Sequence, residues 1–175
     1  GLQNLTDFIE REDRRAGLLE ERIIEAEEAK ARSETAKAQA QTAIADRCGQ
    51  HTIPPRTRQF LDEHWTNVLF FHINKDGGSE SDELMQALED LDQLVDASQG
   101  DSIDLRSLFQ SLNKQMVDIG LDRTNREEHL KELLTELKQQ RILVQREKAK
   151  QQEVSYTPPT TLADSASTVA TPVTT

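Results

Sequence analysis

Apolar residues along the chain recur at helical rather than strand spacing, and they do so in five separate stretches. In the first, Leu5, Ile9, Ala16, Leu19, Ile23, Ala26, Ala40 and Ile44 follow the 3.5-residue spacing of a heptad seam. Glu12, Lys30, Ser33 and Lys37 interrupt it. The stretch contains no proline and a single glycine, Gly17, and is filled with Ala, Glu, Gln, Arg and Lys, which lose little side-chain entropy in a helix. This predicts one long helix over about residues 5–47. Its broken seam predicts a protruding element that packs along only parts of its length, with most of the bulkier apolar groups before Ala26.

Cys48-Gly49 ends that helix, and Thr52-Ile53-Pro54-Pro55 forms a rigid turn. Beyond it, Phe60, Leu61, Trp65, Val68, Leu69 and Phe71 are expected on one face of a short helix, broken by Asp76-Gly77-Gly78. Ser79 is the expected cap of the next helix, with Asp82 three positions on; Leu84, Ala87, Leu88, Leu91, Leu94 and Val95 form its buried stripe. Gly100 closes it. Asp101-Ser102 is expected to cap a helix buried through Leu105, Leu108, Phe109, Leu112, Met116 and Ile119, which Gly120 stops. A capping box at Thr124-Asn125-Arg126-Glu127 precedes a last helix burying Leu130, Leu133, Leu134, Leu137 and Val144. The fold class is therefore all-α: a long, partly amphipathic N-terminal helix in residues 1–50, an antiparallel bundle of about four helices in 51–150, and a tail in 151–175. That tail is rich in Thr, Ser and Pro with few large apolar groups, which predicts a disordered linker. The opening Gly1 and this tail suggest a piece of a longer protein.

Charge changes the picture most in the middle. The chain carries a net −11, and residues 60–104, with Lys75 against twelve acids, account for all of it. Such a segment repels phosphate backbones, so nucleic acid is excluded as the main ligand. No run approaches the roughly 20 apolar residues of a membrane span, so membrane insertion is not expected. One cysteine, Cys48, rules out an internal disulfide.

The ordered segments RRAGLLEERIIEAEEAKAR, IPPRTRQFLDEHWTNVL, GGSESDELMQALEDLDQLVDASQG and LRSLFQSLNKQMVDIGLD resemble the domain of unknown function 1631 family of large proteobacterial proteins. The resemblance covers roughly residues 10–137. It departs at Asp96 and Asn113, where family members often carry tryptophan and proline. It implies a part of a longer, helical, cytoplasmic protein with a further domain beyond the linker, and it supplies no catalytic residue. Some relatives carry a thymidine phosphorylase label, but this chain lacks any such phosphate-binding pattern.

Candidate chemistry is sparse. Residues 72–83 partly match a calcium loop, with Asn74, Asp76, Gly77 and Glu83 in place. However, His72 replaces the first carboxylate and Ser79 an apolar position, so a capped turn is the stronger reading. Cys48 and His51 could pair as nucleophile and base, but no third group follows; a surface cysteine is the simpler expectation. His64 reads as a boundary residue, His129 as exposed, and Trp65 with Phe60 and Phe71 as core. No catalytic, cofactor or metal site is expected. The expected function is a non-catalytic interaction or scaffold module of a regulatory protein in the bacterial cytoplasm. It would contact a protein partner, or a second copy, through the long helix at Leu19 and Ile23, and a basic partner through an acidic face of Asp62, Glu63, Glu89, Asp90, Asp92 and Asp96. The alternative is part of a signalling protein that responds to a nucleotide second messenger through a domain outside this segment.

Overall fold

The computed structural model describes residues 1–75 and 80–155, with backbone alone at 154 and 155. Helix α1 spans Leu2–Cys48 and ends at Gly49. A rod of three pieces follows: α2 at Pro55–Phe60, a π-helical turn at Leu61–Trp65, and α3 at Thr66–Lys75. Helix α4 spans Asp82–Ser98, α5 Leu105–Asp118 and α6 Arg123–Ser155. Among the described residues there is no strand. The all-α reading with a long N-terminal helix holds. Helix α6 extends five residues past the boundary expected for the tail, and residues 156–175 lie outside the described residues, as do Asp76, Gly77, Gly78 and Ser79.

The core is one contiguous cluster in which Leu61, Trp65, Val68, Leu69, Leu91, Leu94, Leu112, Met116, Leu133 and Leu137 are buried from all four bundle segments. The last part of α1 rests on α3 and α4, and α6 closes the bundle against α2, α4 and α5. The π turn is held by Thr66, whose N–H and hydroxyl both reach the Leu61 carbonyl, the latter at 3.1 Å. Trp65 beside it is fully buried and donates its indole N–H to the Ala87 carbonyl at 3.0 Å, fastening the rod to α4. Phe71, expected in the core, is instead exposed, because the buried face centred on Leu61, Trp65, Val68 and Leu69 continues to His72, and Phe71 stands about 100° around the helix from it.

Helix ends explain several local differences from the sequence reading. Ser81 caps α4 by accepting the Leu84 N–H, Asp104 caps α5 through the Ser107 N–H, and Asp122 caps α6 through the Asn125 N–H. The expected caps Asp101-Ser102 and Thr124 sit two or three residues away from these. Several Asp and Ser residues precede each apolar run, and only the backbone angle at the boundary selects one. At Gly100 and Gly120 the chain turns with φ of +87° and +84°. Each next residue returns its N–H to the helix, Asp101 to Asp96 and Leu121 to Met116. Helix α2 has no side-chain cap of its own. Glu136 of α6 supplies one, accepting the N–H groups of Arg56 and Thr57 at 2.9 and 2.8 Å and the Thr57 hydroxyl at 2.9 Å. Helix α5 runs unbroken through Asn113, whose side chain accepts from Arg126 at 3.0 Å.

Candidate interaction surface

Helix α1 divides in two. Every residue from 1 to 32 is exposed, and burial begins only with Ala36, Ala40, Ile44 and Cys48, four residues spaced one turn apart on one face. The first 32 residues therefore project as an arm of about 45 Å at 1.5 Å per residue. The arm carries Leu2, Leu5, Phe8, Ile9, Leu18, Leu19, Ile23 and Ile24, each more than half exposed. Leu19 and Ile23, expected in a contact seam, are 58% and 54% exposed, far above what a single-chain core leaves at such side chains. The bulkier half of the seam is thus bare, and the alanine-rich half is packed.

The acidic residues of the middle segment do not form one uniform face. Asp90 is buried at 1% exposure and so is not part of the surface; its carboxylate accepts from Ser111 of α5 at 2.5 Å and from Gln86 at 3.0 Å. Its burial pushes the pKa up, and hydrogen bonds from Ser111, Gln86 and Gln115 oppose that. Gln115 also accepts from the buried His72 Nε2 at 2.8 Å, so one polar chain links α3, α5 and α4. Asp90 stands one helical step after Ala87 and before Leu94, inside the apolar stripe, and that spacing was the sequence signal for its burial. Asp62 and Asp92 are exposed but paired, with Arg58 at 3.3 Å and Arg47 at 3.0 Å. Glu63 and Glu89 are exposed and accept from Gln59 and Gln93 in their own helices. Asp96 is exposed; partial desolvation, then Asp101 and Asp92, push its pKa up, and His51 opposes them.

The remaining candidates are inward. Cys48, expected at the surface, is buried in the core as the last residue of α1. Burial pushes its thiol pKa up and outweighs the lowering by the nearby Arg58, while His51 is exposed. His72, at the first position of the calcium template, lies in α3 with its ring bound to Gln115; the template's loop centre falls outside the described residues. His129, expected to be exposed, is half-buried with its ring 4.4 Å from that of His64. Burial first and His129 second lower the His64 pKa, and its buried Nε2 has no hydrogen-bond partner among the described residues. Sequence spacing could not bring these two together, since they stand on different helices. Among the described residues, no three His, Cys, Asp or Glu side chains converge to hold a metal ion. Nor is any helix among them long and apolar enough to cross a membrane.

The architecture is that of an all-helical bundle with a long helix projecting from one side. The chain belongs to the family described as protein of unknown function (DUF1631), third domain, whose model matches residues 26–134, more than half of its length. That match begins at Ala26, where the bulky part of the α1 seam ends, and runs through the packed part of α1 and the bundle. No curated protein and no solved structure matches the chain.

Proposed function

We propose that this chain is a non-catalytic interaction module in which the bundle is an anchor and the α1 arm is the contact element for another protein. One observation carries the reading: eight large apolar side chains stand more than half exposed on a helix that, among the described residues, is held at its far end only. Apolar groups concentrated on one solvated helix are stabilised when a partner covers them. The buried titratable groups support the non-catalytic part, because Cys48, His72 and Asp90 face the core, where packing and hydrogen bonds already occupy them. The acidic surface is the weaker contact candidate, since Asp62 and Asp92 are already paired with arginines of the same chain.

The test is affinity capture from the source cell with the intact chain and with a Leu19→Asp/Ile23→Asp variant. Both positions are exposed, so the variant keeps its bundle, as circular dichroism would verify. Captured protein that disappears with the variant supports the reading. Capture that persists unchanged rules the arm out as the contact element. Turnover of a nucleoside substrate by the purified chain, abolished by a single substitution, would rule out the non-catalytic part.

A further inference from the structure

The arm carries more order than exposed apolar bulk. Taking Leu2 as position a of a heptad, Ile9, Ala16 and Ile23 fall at a, and Leu5, Glu12, Leu19 and Ala26 at d. Isoleucine at a with leucine at d is the pattern that favours two parallel strands. The charged flanking positions are segregated by sign: Asp13, Glu20 and Glu27 occupy e, and Arg15 and Arg22 occupy g, while Thr6 at e and Phe8 at g carry no charge. In a parallel, in-register pair each g residue faces the e residue five positions on in the other helix. Arg15 then meets Glu20 and Arg22 meets Glu27, twice each by symmetry, and every one of these contacts is attractive. An antiparallel pair sets g against g and e against e, bringing arginine to arginine and carboxylate to carboxylate. Leu18 and Ile24 lie off this seam.

We infer that the occupant of the arm is a second copy of this chain, joined in a parallel two-stranded coiled coil over residues 2–27. This rests on the reading of α1 as the contact element and names its partner. The seam ends where it must. Lys30, Ser33 and Lys37 take the next a and d positions, and the bundle's own contacts start at Ala36. Glu12 is the weak layer. It sits at d, holds Arg15 of its own helix at 3.6 Å, and faces the same glutamate of the other copy, which lowers affinity through like-charge repulsion.

Sedimentation of the full chain across micromolar concentrations tests the pairing. The intact chain forms a dimer. Arg15→Glu/Arg22→Glu and Glu20→Arg/Glu27→Arg each weaken it by at least about tenfold, and an equal mixture of the two variants restores it, because all four cross-contacts become attractive again. Glu12→Leu tightens it by at least about tenfold, which keeps the test decisive even if a charge reversal costs the arm its helicity. A chain monomeric at every concentration overturns the inference. So does a dimer indifferent to the charge reversals, to their mixing, or to Glu12→Leu. A monomer leaves the proposed function standing, because that reading asks only that some protein cover the arm, and capture by the Leu19→Asp/Ile23→Asp variant reads it separately.

Discussion

The two parts of α1 invert the usual association between apolar bulk and burial. Residues 2–26 hold the leucines, isoleucines and phenylalanine, all of them exposed, whereas residues 36–48 bury two alanines, one isoleucine and a cysteine. Hydropathy sets which face of a helix can be buried. What buries it is another element at the right place, and α3 and α4 reach α1 only near its C-terminus. Small residues there are an advantage, since alanine lets two helix axes approach within the 8–10 Å range of packed pairs. The bare seam is a surface that nothing among the described residues covers.

The sharpest way to break this contrast is to make one substitution in each part. Ile44→Ala removes a side chain that is 3% exposed and leaves a cavity, and should cost about 2–5 kcal/mol of unfolding free energy. Ile23→Ala should change the stability of the same bundle by less than about 0.5 kcal/mol. Urea melts of both variants, at a concentration where the chain is monomeric, decide it. Equal losses would mean that the arm folds back onto the bundle.

Enlarging alanine reads the same contrast from the opposite side. Ala40 is fully buried, and Ala40→Leu should cost about 1–3 kcal/mol through overpacking between α1 and α3. Ala26→Leu, read at the same monomeric concentration, adds a side chain to open water and should leave the melt within about 0.5 kcal/mol. A destabilised Ala26→Leu chain would show that the arm is already covered.

Much of this was legible in the chain itself. Runs of helix formers with stripes such as Leu84, Leu91, Leu94 and Val95 announce both the element and its buried face, and Gly49, Gly100 and Gly120 stop helices where expected. The arm's exposure was legible too, because Glu12, Lys30 and Lys37 deny it a continuous seam. The π turn at Leu61–Trp65 was not, since one widened turn leaves no repeat to detect. Nor was the burial of Cys48, which depends on where α1 ends against the rod and not on its neighbours in sequence. Asp90 is buried because its position in the stripe, between Ala87 and Leu94, outweighs its charge.

That aspartate sharpens the comparison at the helix on which the packed part of α1 rests. Burial raises its folded-state pKa above the unfolded value of about 4. Between those two values the folded chain binds more protons than the unfolded one, so stability falls as pH rises through the window and levels off above the folded pKa. Asp90→Asn removes this titration. The expected result is that the variant gains on the parent chain as pH climbs from about 4 through the raised pKa, measured by urea midpoints. A difference that stays constant with pH would show that Asp90 is not shifted.

The smallest effect concerns ion pairs, and it should still separate the two parts. Arg47 pairs with Asp92 of α4 at 3.0 Å, both side chains partly solvated, and so ties α1 to the bundle across distant sequence. In the arm, Arg14 with Glu10 and Arg15 with Glu12 only join neighbouring turns, at 3.8 and 3.6 Å. Arg47→Ala should therefore lower bundle stability by about 0.2–1 kcal/mol, and salt should shrink the difference as it screens the pair. Arg14→Ala should leave the bundle's unfolding untouched and lower only the helical signal of the arm, by the few tenths of a kcal/mol that such pairs contribute. The two readouts must be kept apart: denaturant midpoint for the bundle, and helix content under native conditions for the arm. If Arg14→Ala moves the midpoint as far as Arg47→Ala does, arm and bundle unfold as one cooperative unit, and the division of α1 into a packed part and a free part is wrong.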